Sequence, residues 1–102
     1  MRMLLKVSIP HEPFNTLVKK GKAGEILEKI GNEIKPEAVY FTEEGGKRTG
    51  LYIIEMPKAS DIPKFAEPFF LNFNADCHIH PVMLPEDLKN SEIDKLGKKW
   101  DA

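Results

Sequence analysis

Asp76, His78 and His80 fall at every second position of the segment Ala75-Asp76-Cys77-His78-Ile79-His80-Pro81. In an extended strand that spacing puts all three on one face and Ala75, Cys77 and Ile79 on the other. Histidine titrates near neutral pH, so His78 is a candidate acid–base group with Asp76 as its carboxylate partner. His78 and His80 also form a His-x-His pair, but a metal site needs at least one more ligand, and Asp76 is the only one on that face. The pattern is too sparse to predict a metal. Cys77 lies on the apolar side and reads as a small buried hydrophobe, not a nucleophile.

Other residues suit the recognition of a small molecule. Lys6 and Arg48 can hold an anionic substrate or stabilise an enolate. Tyr40 and Tyr52 can donate hydrogen bonds and stack on a planar ligand. The expected site is therefore His78 and Asp76 in catalysis, with Lys6, Tyr40, Arg48, Tyr52 and His80 in ligand binding. It has no metal and no cofactor. The plain alternative is that Lys6 and Asp76 form an ion pair across neighbouring strands.

Those residues must be positioned by regular elements. Residues 2–9 read as a strand that ends at Pro10. Residues 12–34 carry helical spacing, weakened at Gly21 and Gly24, with a main helix to about Asn32. Glu37 to Glu43 and Lys47 to Met56 are strand-like and joined through Glu44-Gly45-Gly46, a hairpin signal because glycine tolerates positive φ. Ser60 is a candidate N-cap for a helix with Ile62, Phe65, Ala66, Phe69 and Phe70 on its apolar face, kinked or restarted at Pro68. The strand at 74–82 follows. Pro85 opens a helical tail with a second helix start at Ser91, and Leu88, Ile93, Leu96 and Trp100 are its packing residues.

A chain of 102 residues suits a single domain, here residues 1–102. The hydrophobic content of 41% and charged content of 30% are those of a globular chain. The net charge of −1 supplies no basic field to neutralise phosphates, which argues against nucleic acid as a partner. A single cysteine allows no internal disulfide, as in a reducing cytoplasm. The apolar start carries Lys6 and is too short for a membrane span or a signal-peptide core, so no membrane partner is expected.

The order β-α-β-β-α-β plus a C-terminal helix is that of an α+β, ferredoxin-like fold with a four-stranded antiparallel sheet. Right-handed crossovers put both main helices on one face. Alternation assigns to that face Met3, Leu5, Val7 and Ile9, then Val39 and Phe41, Leu51 and Ile53, and Cys77 and Ile79. The open face takes Arg2, Leu4, Lys6 and Ser8, then Ala38, Tyr40 and Thr42. From the third and fourth strands it takes Arg48, Gly50, Tyr52, Ile54, Asp76, His78, His80 and Val82. The open face is too apolar for free exposure, and the simplest cover is a second copy of the sheet, closing a dimeric α+β barrel around a polar cavity.

Several blocks carry a family resemblance: Met3-Leu4-Leu5-Lys6-Val7-Ser8-Ile9-Pro10, Lys35-Pro36-Glu37-Ala38-Val39-Tyr40-Phe41-Thr42-Glu43-Glu44, Gly46-Lys47-Arg48-Thr49-Gly50, Ala66-Glu67-Pro68-Phe69-Phe70, Phe73-Asn74-Ala75-Asp76, Pro81-Val82-Met83 and Pro85-Glu86-Asp87-Leu88. In these the chain resembles a family of small uncharacterised bacterial proteins of about 100 residues, a usual length for one domain. The resemblance implies the dimeric α+β barrel and brings no established activity. The wider superfamily includes cofactor-free monooxygenases, haem-degrading enzymes, lactone isomerases and stress-response barrels, and fold alone does not choose among them.

Two functional expectations follow. One is a cytoplasmic homodimer that binds a small organic ligand between its sheets, as an oxygenase-like or isomerase-like protein. The other is a noncatalytic module for self-association or for a protein partner. RNA recognition is not expected, since Gly50-Leu51-Tyr52-Ile53 offers one aromatic where RNA-recognition modules use a pair.

Overall fold

The computed structural model describes residues 1–101. β1 (Arg2–Ile9) leads into α1 (His11–Lys19) and α2 (Ala23–Ile34). The hairpin β2 (Ala38–Glu44) and β3 (Lys47–Glu55) follows, then a short 3-10 turn, α3 (Ile62–Phe73) and β4 (Asp76–Pro81). The chain ends in α4 (Pro85–Asn90) and α5 (Ile93–Lys99). The strands form one antiparallel sheet in the order β2-β3-β1-β4, so the class is α+β. Among the described residues no helix is long and apolar enough to cross a membrane.

Local chemistry explains the breaks. α1 stops where Gly21 takes φ +70, with Lys22 N–H bonded to Leu17 O and Gly21 N–H to Val18 O, each at 2.9 Å. This Schellman arrangement separates α1 from α2 completely instead of only loosening one helix. Gly45 and Gly46, both at positive φ, make the two-residue turn that sets Glu44 opposite Lys47. α3 begins at Ile62 after the 3-10 turn, not with a Ser60 cap, and Asp61 makes no side-chain capping bond. It runs through Pro68 without restarting. Asn74 closes α3 in the left-handed conformation (φ 54), so β4 starts later than the alternation suggests, at Asp76.

The core lies between the sheet and α1–α3. Met3, Leu5, Val7 and Ile9 meet Phe14, Ala23, Ile30, Ile34, Phe65, Phe69 and Phe73 there. Burial in β1 alternates without a break, as its sequence predicts. β3 departs from expectation. Its register with β1 pairs Met3 with Ile54, Leu5 with Tyr52 and Val7 with Gly50. Paired residues of an antiparallel ladder share a face. Tyr52, Ile54 and Gly50 therefore point to the helices, and Leu51 and Ile53 to the open face, the reverse of the expected assignment. Both alternations in this strand are apolar, so hydrophobicity gave it no preferred side.

Gly50 has a packing role in this arrangement. A Cβ at that position would sit 2.8 Å from Tyr52 Cε2, so the bare backbone makes room for the ring. Tyr52 in turn packs against Phe69 (centroids 5.1 Å apart) and edge-on to Phe41 (6.1 Å).

Candidate functional site

The open face is built from β1, β2, β3 and β4 side chains, and all of α1–α3 lies behind it. Ladder pairing puts Lys6 opposite His78, Ser8 opposite Asp76, and Leu4 opposite His80. On the other side of β1, Lys6 faces Leu51 and Ser8 faces Thr49. Cross-strand neighbours of this kind are about 4.5–5.5 Å apart, so their side chains share one environment.

At the hairpin end of this face is a recess of about 310 Å3 lined by Lys6, Ser8, Glu44, Gly45, Lys47, Thr49, Asp76 and His78. Its floor is central strand; its wall is the Glu44–Lys47 turn. The Lys6 ammonium donates to Glu44 Oε1 at 2.7 Å. The expected Lys6–Asp76 ion pair is therefore replaced by Lys6–Glu44, because the tight glycine turn carries Glu44 over the strand. The Glu44 side chain is 58% exposed, and an ion pair this open is worth about 0–1 kcal/mol. A competing anion can displace it at little cost.

The expected residues divide three ways. Lys6, Asp76 and His78 come together in the recess. Tyr40 and His80 share the open face but lie outside it: Tyr40 pairs with Leu51 and is 64% exposed, and His80 pairs with Leu4. Arg48 and Tyr52 are corrections, since both belong to the helix face. Arg48 pairs with Ile9, donates to Asn15 Oδ1 at 2.7 Å and stacks over Phe14. Tyr52 is a core residue, 2% exposed. Ser8, Thr49, Glu44 and Lys47 line the recess and were not singled out from the sequence. The signal for them was register: once β1 pairs with β3 and β4, Ser8 must sit between Thr49 and Asp76.

Beyond the recess the open face turns apolar through Leu4, Leu51, Ile53, Ala38 and Tyr40. A larger groove of about 440 Å3 between α2 and α3 is floored by Ile26, Ile30 and Pro68 and rimmed by Glu25, Lys29 and Glu33. It brings together no histidine, cysteine, serine or threonine. Among the described residues no three of His, Cys, Asp and Glu converge as metal ligands.

Two core-facing groups titrate abnormally. Burial, helped by the nearby Cys77, pushes Tyr52 up to about 12. Burial and then the charge of Asp76 push Cys77 up to about 11, as suits a structural thiol and not a nucleophile. Both folded-state values lie above the ordinary values of 10.0 and 9.0, so the neutral forms are favoured by folding. Their contribution to stability is full below pH 9 and is lost as pH rises, through about 11 for Cys77 and about 12 for Tyr52. Urea titrations across that window should show Cys77→Ala flattening the lower part of the decline and Tyr52→Phe the upper part. A wild-type decline no steeper than that of the double variant would refute the assignment.

No protein-family model matches the chain, and no curated protein matches it significantly.

Proposed function

We propose that this protein is a homodimer of the dimeric α+β barrel type, with ferredoxin-like protomers paired through their open faces, that binds a small organic ligand between the sheets. The observation that carries the reading is the recess of about 310 Å3 that groups Lys6, Ser8, Thr49, Asp76 and His78 beside an apolar strip. A ligand with an anionic or carbonyl head and a planar apolar body matches both parts. The head replaces Glu44 at Lys6, and the body lies over Leu4, Leu51 and Tyr40.

The same geometry supports acid–base chemistry of an isomerase-like or oxygenase-like kind. His78 takes a proton from carbon next to the carbonyl, Asp76 stabilises the imidazolium, and Lys6 stabilises the enolate oxygen. The second copy closes the site against water. The lone thiol and absence of any possible internal disulfide favour a cytoplasmic setting.

A second reading, a noncatalytic self-association module, is favoured by one observation: Glu44 already occupies the Lys6 ammonium. Ligand titration separates the two. A panel of small planar carboxylates, phenols and β-diketones, benzoate and acetylacetone among them, should include members that raise the Tm of the wild type in a concentration-dependent way. Lys6→Met should weaken that binding about 10-fold or more, the loss of one charge-assisted hydrogen bond. No perturbation of the His78 ring resonances by any member at millimolar concentration would reject the ligand reading in favour of the module.

A further inference from the structure

The C-terminal α4–α5 segment stands off the domain. The radius of gyration is 17.2 Å and the molecule measures 60 × 28 × 20 Å, whereas a compact chain of this length has a radius of gyration of about 13 Å. Neither α4 nor α5 has a buried residue, and their main contact is with each other.

The segment is nonetheless patterned for burial. Ile93 and Leu96, three apart, share one side of α5, and Trp100, its C-cap residue, continues their i, i+3, i+7 spacing. Leu84, the N-cap residue of α4, and Leu88 within it add two more exposed apolar side chains to the segment. Exposures run from 42% at Leu88 to 76% at Trp100. Helices of six and seven residues are far below the length of about 12–15 residues at which a helix holds itself in water. Such helices are stable when they are docked.

We propose that α4–α5 is an exchanged arm: in the dimer each copy lays the Leu84–Trp100 segment on the body of the other. This rests on the homodimer proposed above. Area selects a second copy as the occupant. Half-exposed side chains of this size present about 600 Å2 of apolar surface per arm, and reciprocal exchange counts that surface twice and the covered surfaces twice, about 2,400 Å2 in all. This lies in the range of obligate homodimers, whereas one arm on an unrelated protein reaches only the lower limit of a stable interface. Charge does not oppose the pairing, since each copy carries a net charge of only −1. The arm also starts from the sheet itself: Val82 N–H bonds to Arg2 O at 3.1 Å, so the segment begins beside the open face.

Trp100 is the only tryptophan, so its fluorescence reads the arm directly. The experiment follows emission and acrylamide quenching of the full chain across a dilution series, with light scattering in parallel. The expected result is blue-shifted, protected emission in the dimer that turns red and quenchable as the chain dissociates. The double variant Ile93→Asp, Leu96→Asp should raise the dimer dissociation constant about 100-fold or more while the circular dichroism of the body is unchanged. A wild-type dimer in which Trp100 stays fully quenchable overturns the exchanged arm and leaves the sheet-paired dimer standing. A monomer at every concentration overturns both. Protected emission in a monomer also overturns the exchange, since it means that the arm folds back on its own body.

Discussion

Tyr52→Ala is expected to cost about 3–5 kcal/mol, the usual loss for deleting a large buried aromatic ring. The ring is 2% exposed and held between Phe69 and Phe41. Gly50 beside it has no side chain to fill the space left behind. A domain of this size has a total stability of about 5–15 kcal/mol, so the variant loses a large share of it. Tyr40→Ala is the matched control. Tyr40 is 64% exposed on the opposite face, and surface changes of this kind stay within about 0.5 kcal/mol in a monomer. Denaturant midpoints of the two variants at a concentration that keeps the chain monomeric decide the matter. Equal effects would mean that β3 faces the other way.

The second large effect comes from the adjacent residue. Leu51→Asp should leave the monomer folded and dissociate the proposed dimer. Leu51 lies on the open face between Lys6 and Tyr40, with neither of its ladder partners in the helix-side core. A two-fold interface would bury the new carboxylate twice, once from each copy, without a positive partner designed for it. The dissociation constant should rise about 100-fold or more, equivalent to about 2.7 kcal/mol. Light scattering over a concentration series measures it, and unchanged circular dichroism shows that the fold survives. A Leu51→Asp dimer as tight as the wild type would remove the open face as the interface. Neighbouring substitutions at 51 and 52 thus separate association from folding, because a strand gives adjacent side chains to opposite faces.

The alternation of β1 and β4 was legible because each has one apolar and one polar side. Met3, Leu5, Val7 and Ile9 against Arg2, Lys6 and Ser8 admits one orientation. β3 has Tyr52 and Ile54 on one side and Leu51 and Ile53 on the other, so the pattern is silent. The hairpin nevertheless contained the answer. A two-residue Gly45-Gly46 turn sets Glu44 opposite Lys47, so an odd-numbered residue of β2 always faces an even-numbered residue of β3. Once Val39 and Phe41 face the helices, Gly50 and Tyr52 must join them. Turn length, not hydrophobicity, fixes that register.

The surroundings of the C-terminal helices were not legible for a different reason. Leu88, Ile93 and Leu96 have helical spacing and α4 opens at Pro85 as expected, but Ser91 closes α4 instead of capping α5, which begins at Ile93 after Glu92 takes a left-handed conformation. What they pack against is not written in their periodicity. An apolar stripe states that a surface will be covered; it does not state whether the cover lies in the same chain.

By itself the sequence determined the α+β order of elements, the turn at Gly45 and Gly46, and the common face of Lys6, Asp76 and His78, because these depend on backbone conformation and side-chain alternation over a few residues. Only the tertiary structure decided that Glu44 and not Asp76 meets Lys6, that Ser8 and Thr49 complete the recess, and that the tail stands clear of the body. Those outcomes depend on strand register between segments tens of residues apart and on how much surface one copy can cover, and neither is a local property of the chain.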